Sequence, residues 1–265
     1  VRIVCEQDNR SNAPFNTIAA AGIPLISDTF DPINNGNGLM HDKFVVIDNR
    51  GGAPDSQWVW TGSWNPTDSG TNDDYQNAIE LQDPALANVY TMEFNEMWGS
   101  STDTPNAPAS RFGQRKLDDT PHKFVIGGRD VESYFSPSDA TTSHILSTLN
   151  AAQHSIGFEL LTVTRTDISA ALIAQKNAGV AVRGDIDSGS DTGSQYSALV
   201  TAGVDVKLKI GSGLLHHKYM ITDAEDPTWG GTTLTGSHNW SSSAENANNE
   251  NTLIIHDPDV ANQYL

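Results

Sequence analysis

A thirteen-residue stretch that occurs twice constrains this chain more than any other feature. Residues 36–48 read GNGLMHDKFVVID and residues 211–223 read GSGLLHHKYMITD. Both hold His-x-Lys with an Asp five residues after the Lys: His41, Lys43 and Asp48, then His216, Lys218 and Asp223. Each copy is followed by Gly-Ser-x-Asn, as Gly62-Ser63-Trp64-Asn65 and Gly236-Ser237-His238-Asn239. A single His-x-Lys carries almost no information. Two copies with matching glycines, Asp and Gly-Ser-x-Asn describe an internal duplication, so the 265 residues are expected to fold as two similar halves.

The repeat extends beyond the motif. Val1-Arg2 matches Val182-Arg183, and Ala21-Gly22-Ile23 matches Ala202-Gly203-Val204, each pair 181 residues apart. The motif histidines are 175 apart, so the first half carries six extra residues, which fall in the loop SDTFDPINNGNG before His41. The Gly-Ser pairs and the pairs Asp83-Pro84 and Asp257-Pro258 are 174 apart. In the second half, strand-like runs (VESYF, HSIGFELLTV, VAVRGDID, VDVKLKI) alternate with helix-like ones. The helical stretches are ATTSHILSTLNAAQ, with Ile145, Leu146 and Leu149 on one face, DISAALIAQKNAG and SQYSALVTAG. That alternation predicts an α/β sheet, largely parallel in its βαβ part. The Ser-, Pro- and Asn-rich stretch from Gly99 to His122 reads as an interlobe linker. The expected division is a first lobe over 1–112 and a second over 113–265. The stretch before Val182, with two strand-like and two helix-like runs, has no counterpart ahead of Val1. The first lobe is therefore expected to be N-terminally incomplete, and a separate peptide is one form the remainder can take.

Composition narrows the function. The formal net charge of -18 repels polyanions at long range, opposite to the balance of a dedicated nucleic-acid binder. No apolar run approaches the roughly 20 residues of a membrane-spanning helix, so no integral membrane segment is expected. The lone Cys5 cannot form an intrachain disulfide and reads as an inert buried thiol. Compartment stays unassigned, with a secreted or periplasmic bacterial protein the reading that an acidic, disulfide-free chain favours.

Two residues apart on an extended segment, His41 and Lys43 share a face, as do His216 and Lys218. If two such segments meet across a pseudo-twofold, they bring together two imidazoles and two ammonium groups. That set suits a phosphodiester. The lysines offset charge building on phosphorus, one imidazole attacks, and the other protonates the leaving alcohol. No metal or other cofactor is required. Ser63, Asn65, Ser237 and Asn239 are expected to bind the phosphate or hold the lysines. Asp48 and Asp223 complete the motif but have the opposite parity, and read as orienting or structural. With both motifs in one chain, a monomer suffices to build the site.

These residues make the chain resemble the phospholipase D superfamily, along essentially its whole length. The resemblance implies an α-β-α sandwich in each half, an active site between the halves, and a metal-independent phosphohistidine mechanism. A further family element, Asn-x-Glu-Asn, stands as Asn248-Asn249-Glu250-Asn251 in the second half and as Asp74-Tyr75-Gln76-Asn77 in the first, with Gln76 where Glu is expected. In similar two-motif enzymes the orienting residue comes from the opposite half. That would pair His41 with Glu250 and His216 with Gln76, giving His41 as nucleophile and His216 as general acid. Pairing within each half would reverse the roles. The acidic balance favours a phospholipid or small phosphodiester over nucleic acid, with a metal-independent nuclease and a non-catalytic scaffold as alternatives. His217 is read as a core residue, His238 as either cleft wall or core, and Trp58, Trp60, Trp64 and Trp240 as core or cleft wall.

Overall fold

The repeat predicted from the sequence becomes two sets of strands with matching connections. The structure is a computed structural model that describes residues 1–265. The first half runs β1 (Ile3–Cys5), α1 (Ala13–Ala20), β2 (Leu25–Ser27), β3 (Phe44–Ile47), β4 (Trp58–Gly62), α2 (Asp68–Asn72), β5 (Ala78–Gln82) and α3 (Pro84–Trp98). The second half runs β6 (Lys123–Ile126), β7 (Arg129–Ser136), α4 (Thr141–Ala151), β8 (Ser155–Leu160), α5 (Thr166–Asn177), β9 (Ala181–Ile186), α6 (Tyr196–Thr201) and β10 (Asp205–Leu208). It continues through β11 (Lys218–Thr222), β12 (Thr232–Gly236), α7 (Ser242–Asn246), β13 (Glu250–Ile255) and α8 (Pro258–Gln263).

The second half forms an eight-stranded mixed sheet in the order β10-β9-β8-β11-β12-β13-β7-β6. Only β8, β9 and β10 pair in parallel; the remaining neighbours are antiparallel. The predicted helices α4, α5 and α6 pack on one face and bury Ile145, Leu149, Ile168, Leu172 and Leu199 against Phe158, Met220, Leu234 and Ile254. Strand β6, which the sequence reading missed, forms a hairpin with β7 through Gly127-Gly128.

In the first half, β1 and β2 form a parallel pair matching β9 and β10, while β3, β4 and β5 form an antiparallel sheet matching β11, β12 and β13. No first-half strand stands between β1 and β3 as β8 stands between β9 and β11, so this sheet is in two pieces. Helix α3 lies between the halves. Its Leu86, Ala87, Val89 and Tyr90 pack with Val59 of β4 on one side and with Val131, Phe135, Leu253 and Ile255 of the second sheet on the other. One apolar core thus spans both lobes and fixes their relation. The repeated Asp-Pro pairs start equivalent helices: Asp83 accepts a hydrogen bond from the Leu86 amide and Asp257 from the Asp259 amide, each followed by Pro at the first helical position.

The linker is not a solvated tether. The Gly113 amide donates to Asn249 Oδ1 of the second lobe, and the Phe112 amide donates to Asp31 Oδ2 of the first. Lys116 is buried, donating to the Ser136 carbonyl and pairing with Glu93.

Candidate active site

Each motif strand begins only at or after its Lys, so His41 and His216 lie on the extended segments that lead into β3 and β11 rather than inside the strands. Those segments are held by the opposite lobe. The His41 amide donates to the Asn249 carbonyl and the Asn249 amide to Leu39; reciprocally, the His216 amide donates to Tyr75 and the Tyr75 amide to Leu214. The glycine immediately before each Leu-Met or Leu-Leu pair permits this approach. A Cβ on Gly38 would stand 2.1 Å from the Ala247 carbonyl oxygen, and one on Gly213 would stand 1.9 Å from that of Asp73. Both residues also have left-handed φ, 83° and 71°.

The orienting hydrogen bonds cross between lobes. His41 Nδ1 lies 2.6 Å from Glu250 Oε2, and His216 Nδ1 lies 2.9 Å from Gln76 Oε1 and 3.1 Å from the Ser63 carbonyl. Every one of these partners is an acceptor, which puts a proton on Nδ1 of each ring and leaves each Nε2 with a lone pair. Lys43 Nζ donates to the His41 carbonyl at 2.8 Å, and Lys218 Nζ to the His216 carbonyl at 2.7 Å. Each lysine therefore folds back over its own histidine.

Electrostatics separate the two halves. Burial, then the Lys218 and Lys43 ammonium groups, push His216 down to about 3, with Gln76 adding no charge to resist. Burial also lowers His41, aided by the two lysines, while the charge and hydrogen bond of Glu250 oppose that shift. Burial alone would raise the Glu250 carboxyl; the adjacent His41 ring, its hydrogen bond and Lys43 outweigh it and hold the group at about 2. Lys43 is lowered by burial to about 8, with Glu250 and Asp42 pulling it up, and Lys218 is lowered well below its ordinary value by burial and by Lys43. Two ammonium groups crowded into a dry site favour an anion between them.

Several expected site residues stand elsewhere. The Ser63 and Ser237 side chains are fully buried and unavailable to a phosphate. Ser237 Oγ donates to Glu250 Oε2 at 2.7 Å and accepts from the Asn251 amide, and Ser63 Oγ accepts from the Asn77 amide. These serines brace the strand turns, and Ser237 also braces the carboxylate. Asn65 and Asn239 fit the expectation better: the Asn65 side chain makes no hydrogen bond within the protein, and Asn239 Oδ1 is buried without a partner. The motif aspartates end their strands with left-handed φ, 56° at Asp48 and 53° at Asp223. Asp223 accepts from the amides of Gln153, His154 and Ser155 and so ties β11 to β8. Asp48 is exposed on the surface. Neither takes part in the His–Lys cluster.

The Asn-x-Glu-Asn element and its first-half counterpart also supply a supporting layer of hydrogen bonds that the sequence did not specify. Asn248 Oδ1 accepts from the Leu39 amide, as Asp74 Oδ1, 174 residues earlier, accepts from Leu214. Asn248 Nδ2 also donates to Glu250 Oε1 at 3.0 Å. Asn251 donates to Thr61 and accepts from the Lys43 amide, and its mate Asn77 accepts from Thr235. His238 is buried with both ring nitrogens unpartnered, 3.4 Å from Glu245. Behind His41 lies a buried ionic group of Asp42, Glu93 and Lys116. No three His, Cys, Asp or Glu side chains converge to hold a metal ion.

A pseudo-symmetric α/β chain that closes two His-x-Lys motifs over one centre belongs to the class of duplicated His-x-Lys proteins. More specifically, this chain belongs to the phospholipase D-like family: the family described as "Cardiolipin synthase, PLD-like domain" matches residues 1–98 and 145–265. Among curated relatives, a mitochondrial cardiolipin hydrolase of Chlamydomonas reinhardtii is 32% identical over 126 residues, which are 47% of this chain and 54% of that protein. A phospholipase D of Rickettsia conorii is 30% identical over 137 residues, covering 51% of this chain and 66% of that one. The chain thus spans a little over half the length of these relatives. Among solved structures, the phosphatidylserine synthase of Haemophilus influenzae superposes with a TM-score of 0.62 at 12% identity, covering 97% of this chain and 70% of that one, a likeness of fold.

Proposed function

We propose that this chain is a metal-independent phosphodiesterase of the phospholipase D type, with His41 as nucleophile and His216 as general acid, acting on a phospholipid or a small phosphodiester. The observation that carries the reading is the asymmetry of the crossed pairs. A carboxylate on Nδ1–H raises the nucleophilicity of His41 Nε2, whereas the neutral Gln76 leaves His216 able to release a proton. The names of the relatives, phospholipase D and cardiolipin hydrolase, support a lipid substrate. The net charge of -18 argues against a nucleic acid.

In the first step His41 Nε2 attacks phosphorus, the bond from phosphorus to the leaving alcohol breaks, and His216 Nε2–H gives its proton to that oxygen. In the empty site His216 is neutral, so the acid must be made on binding. The phosphate anion supplies the charge that lets His216 hold a second proton beside Lys43 and Lys218. Water then attacks the phosphohistidine and loses its proton to His216 Nε2, and the P–N bond breaks to free His41. Lys43, Lys218, Asn65 and Asn239 hold the phosphate oxygens. A short alcohol in place of water gives transphosphatidylation. We take 1–112 and 113–265 as the two lobes that build this one centre.

The test is hydrolysis of phosphatidylcholine and of single-stranded DNA, both in EDTA, by the protein and its His41→Asn variant. Choline release that is lost in the variant is expected. DNA cleavage lost in the variant would make the protein a nuclease, and inactivity on both by a folded sample would favour a scaffold. Incubating His216→Asn with substrate should also leave a phosphoryl adduct on the peptide containing His41, read by mass spectrometry. An adduct on the His216 side in the reciprocal variant, and none on His41, would reverse the roles.

A further inference from the structure

We infer that the mouth of this site docks onto a zwitterionic lipid surface through two apolar loop tips, Ile33 and Ile210. This inference rests on the lipid reading above and names the surface at which it operates. Ile210 is 90% exposed and Ile33 is 71% exposed, the most exposed large apolar side chains after the terminal Val1. They lie on the segments that lead into the two motifs, Ile33 ahead of His41 and Ile210 ahead of His216. Between each tip and its histidine stands a second exposed aliphatic residue, Leu39 and Leu214, 44% exposed each and mates in the repeat. Tyr75, also exposed, lies beside Leu214, whose carbonyl accepts its amide.

Both tips are held from beneath. Asp31 is fully buried; its Oδ1 accepts from the amides of Ile33 at 2.8 Å and Asn34 at 3.1 Å, and it pairs with Arg115 of the linker. Lys209 turns inward, donating to the carbonyls of Gly211 at 3.0 Å, Ser212 and Gly213, with its ammonium 5.4 Å from the centre of the Tyr75 ring. The Asp31–Arg115 pair under the first tip and the Lys209 hydrogen bonds to backbone carbonyls at the second hold the two loops and engage both of these cations. Neither segment 31–39 nor 210–215 contains Lys or Arg, and Asp73, Asp74 and Asp187 flank the second. Apolar insertion without basic residues suits a neutral, zwitterionic bilayer; an anionic one would be repelled.

The experiment is co-sedimentation with large phosphatidylcholine vesicles, comparing the protein with Ile33→Ser/Ile210→Ser. Hydrolysis of soluble bis(4-nitrophenyl) phosphate is measured in parallel. Burying an isoleucine is worth about tenfold in partitioning, so the double variant should bind vesicles about 100-fold more weakly. Its kcat/KM on the soluble diester should be unchanged. Binding that is equal in both proteins, absent in the unaltered protein, or stronger on phosphatidylglycerol vesicles would overturn the inference. Soluble hydrolysis without vesicle binding would sink the docking surface and leave the phosphodiesterase standing. Vesicle binding lost in the variant, with no hydrolysis of any diester, would do the reverse.

Discussion

Replacing Glu250 by Gln is the most direct probe of the asymmetry between the two histidines. The carboxylate is fully buried and accepts from His41 Nδ1 at 2.6 Å, from Ser237 Oγ at 2.7 Å and from Asn248 Nδ2 at 3.0 Å. A glutamine can still accept from His41, so the ring keeps its tautomer; the charge is lost, and the glutamine NH2 meets Asn248 Nδ2 donor to donor. A hydrogen bond to a charged group is worth about 1.5–3 kcal/mol and a neutral one about 0.5–1.5. The difference, about 1–1.5 kcal/mol as the His41 ring becomes cationic on attack, is about tenfold in kcat. A second effect runs through Lys43, which titrates at about 8 with Glu250 holding it up. Without the carboxylate its pKa falls further in the free enzyme, so a larger share of the lysine is neutral at pH 8, which adds to the loss in kcat/KM through lost charge on the transition state. At pH 6 a larger share of Lys43 is protonated than at pH 8 in either protein. The expected loss is therefore about tenfold in kcat, with a further loss in kcat/KM that is greater at pH 8 than at pH 6. Steady-state hydrolysis of bis(4-nitrophenyl) phosphate between these pH values reads it, with Tm measured alongside to verify the fold. A loss under threefold at both pH values, or a larger loss in Gln76→Ala than in Glu250→Gln, would refute the assignment of His41 as nucleophile.

Ser237→Ala removes a donor from Glu250 and should lower kcat by about five- to tenfold, whereas Ser63→Ala, which only frees the Asn77 amide, should lower Tm and leave kcat close to normal; equal kinetic effects would contradict this difference. Gly38→Ala should lose about 3 kcal/mol or more of stability in urea titration, because its Cβ meets a carbonyl oxygen of the other lobe at 2.1 Å in a left-handed conformation. Lys116→Met removes the cation paired with buried Glu93, a loss of about 3–5 kcal/mol. Burial raises Glu93 to about 8 and Asp42 to about 6, above their unfolded values, so both acids stabilise the fold when protonated and the benefit is lost as pH rises through those values. The Lys116→Met deficit should accordingly be smaller at pH 5 than at pH 9; a deficit independent of pH would show that these acids are not what Lys116 balances. His216, lowered to about 3, is buried neutral, so its share of stability is lost as pH falls from its unfolded value near 6.5 towards 3. His216→Asn should flatten the acid side of a Tm-versus-pH curve over that window.

What the duplication made legible is whatever both halves share. The paired histidines and lysines and the six-residue excess before His41 follow from comparing one half with the other, and the α/β alternation from the periodicity of the second half. The crossed pairing followed from the family resemblance. Side-chain direction was not legible. Ser63 and Ser237 are the right residue types to bind phosphate, but the tight turn after β4 and β12 points their hydroxyls at backbone amides and, for Ser237, at Glu250. Nor could one half be read from the other where their neighbours differ. Asp223 is buried because β8 offers it three amides, while Asp48, its mate, is exposed in a half whose sheet has no such strand beside β3. The Asp42, Glu93 and Lys116 group was hidden for the same reason. Its members come from the motif, from α3 and from the linker, and His217 occupies the position equivalent to Asp42. That group makes the two halves chemically unequal. It places acids and a lysine behind His41, where the second lobe has only His217, with one unpartnered ring nitrogen, and Glu159 at 3.5 Å. The pseudo-twofold thus builds the cluster of two imidazoles and two lysine side chains, and the departures from it, Gln76 for Glu and Asp42 opposite His217, give two otherwise equivalent histidines unequal surroundings.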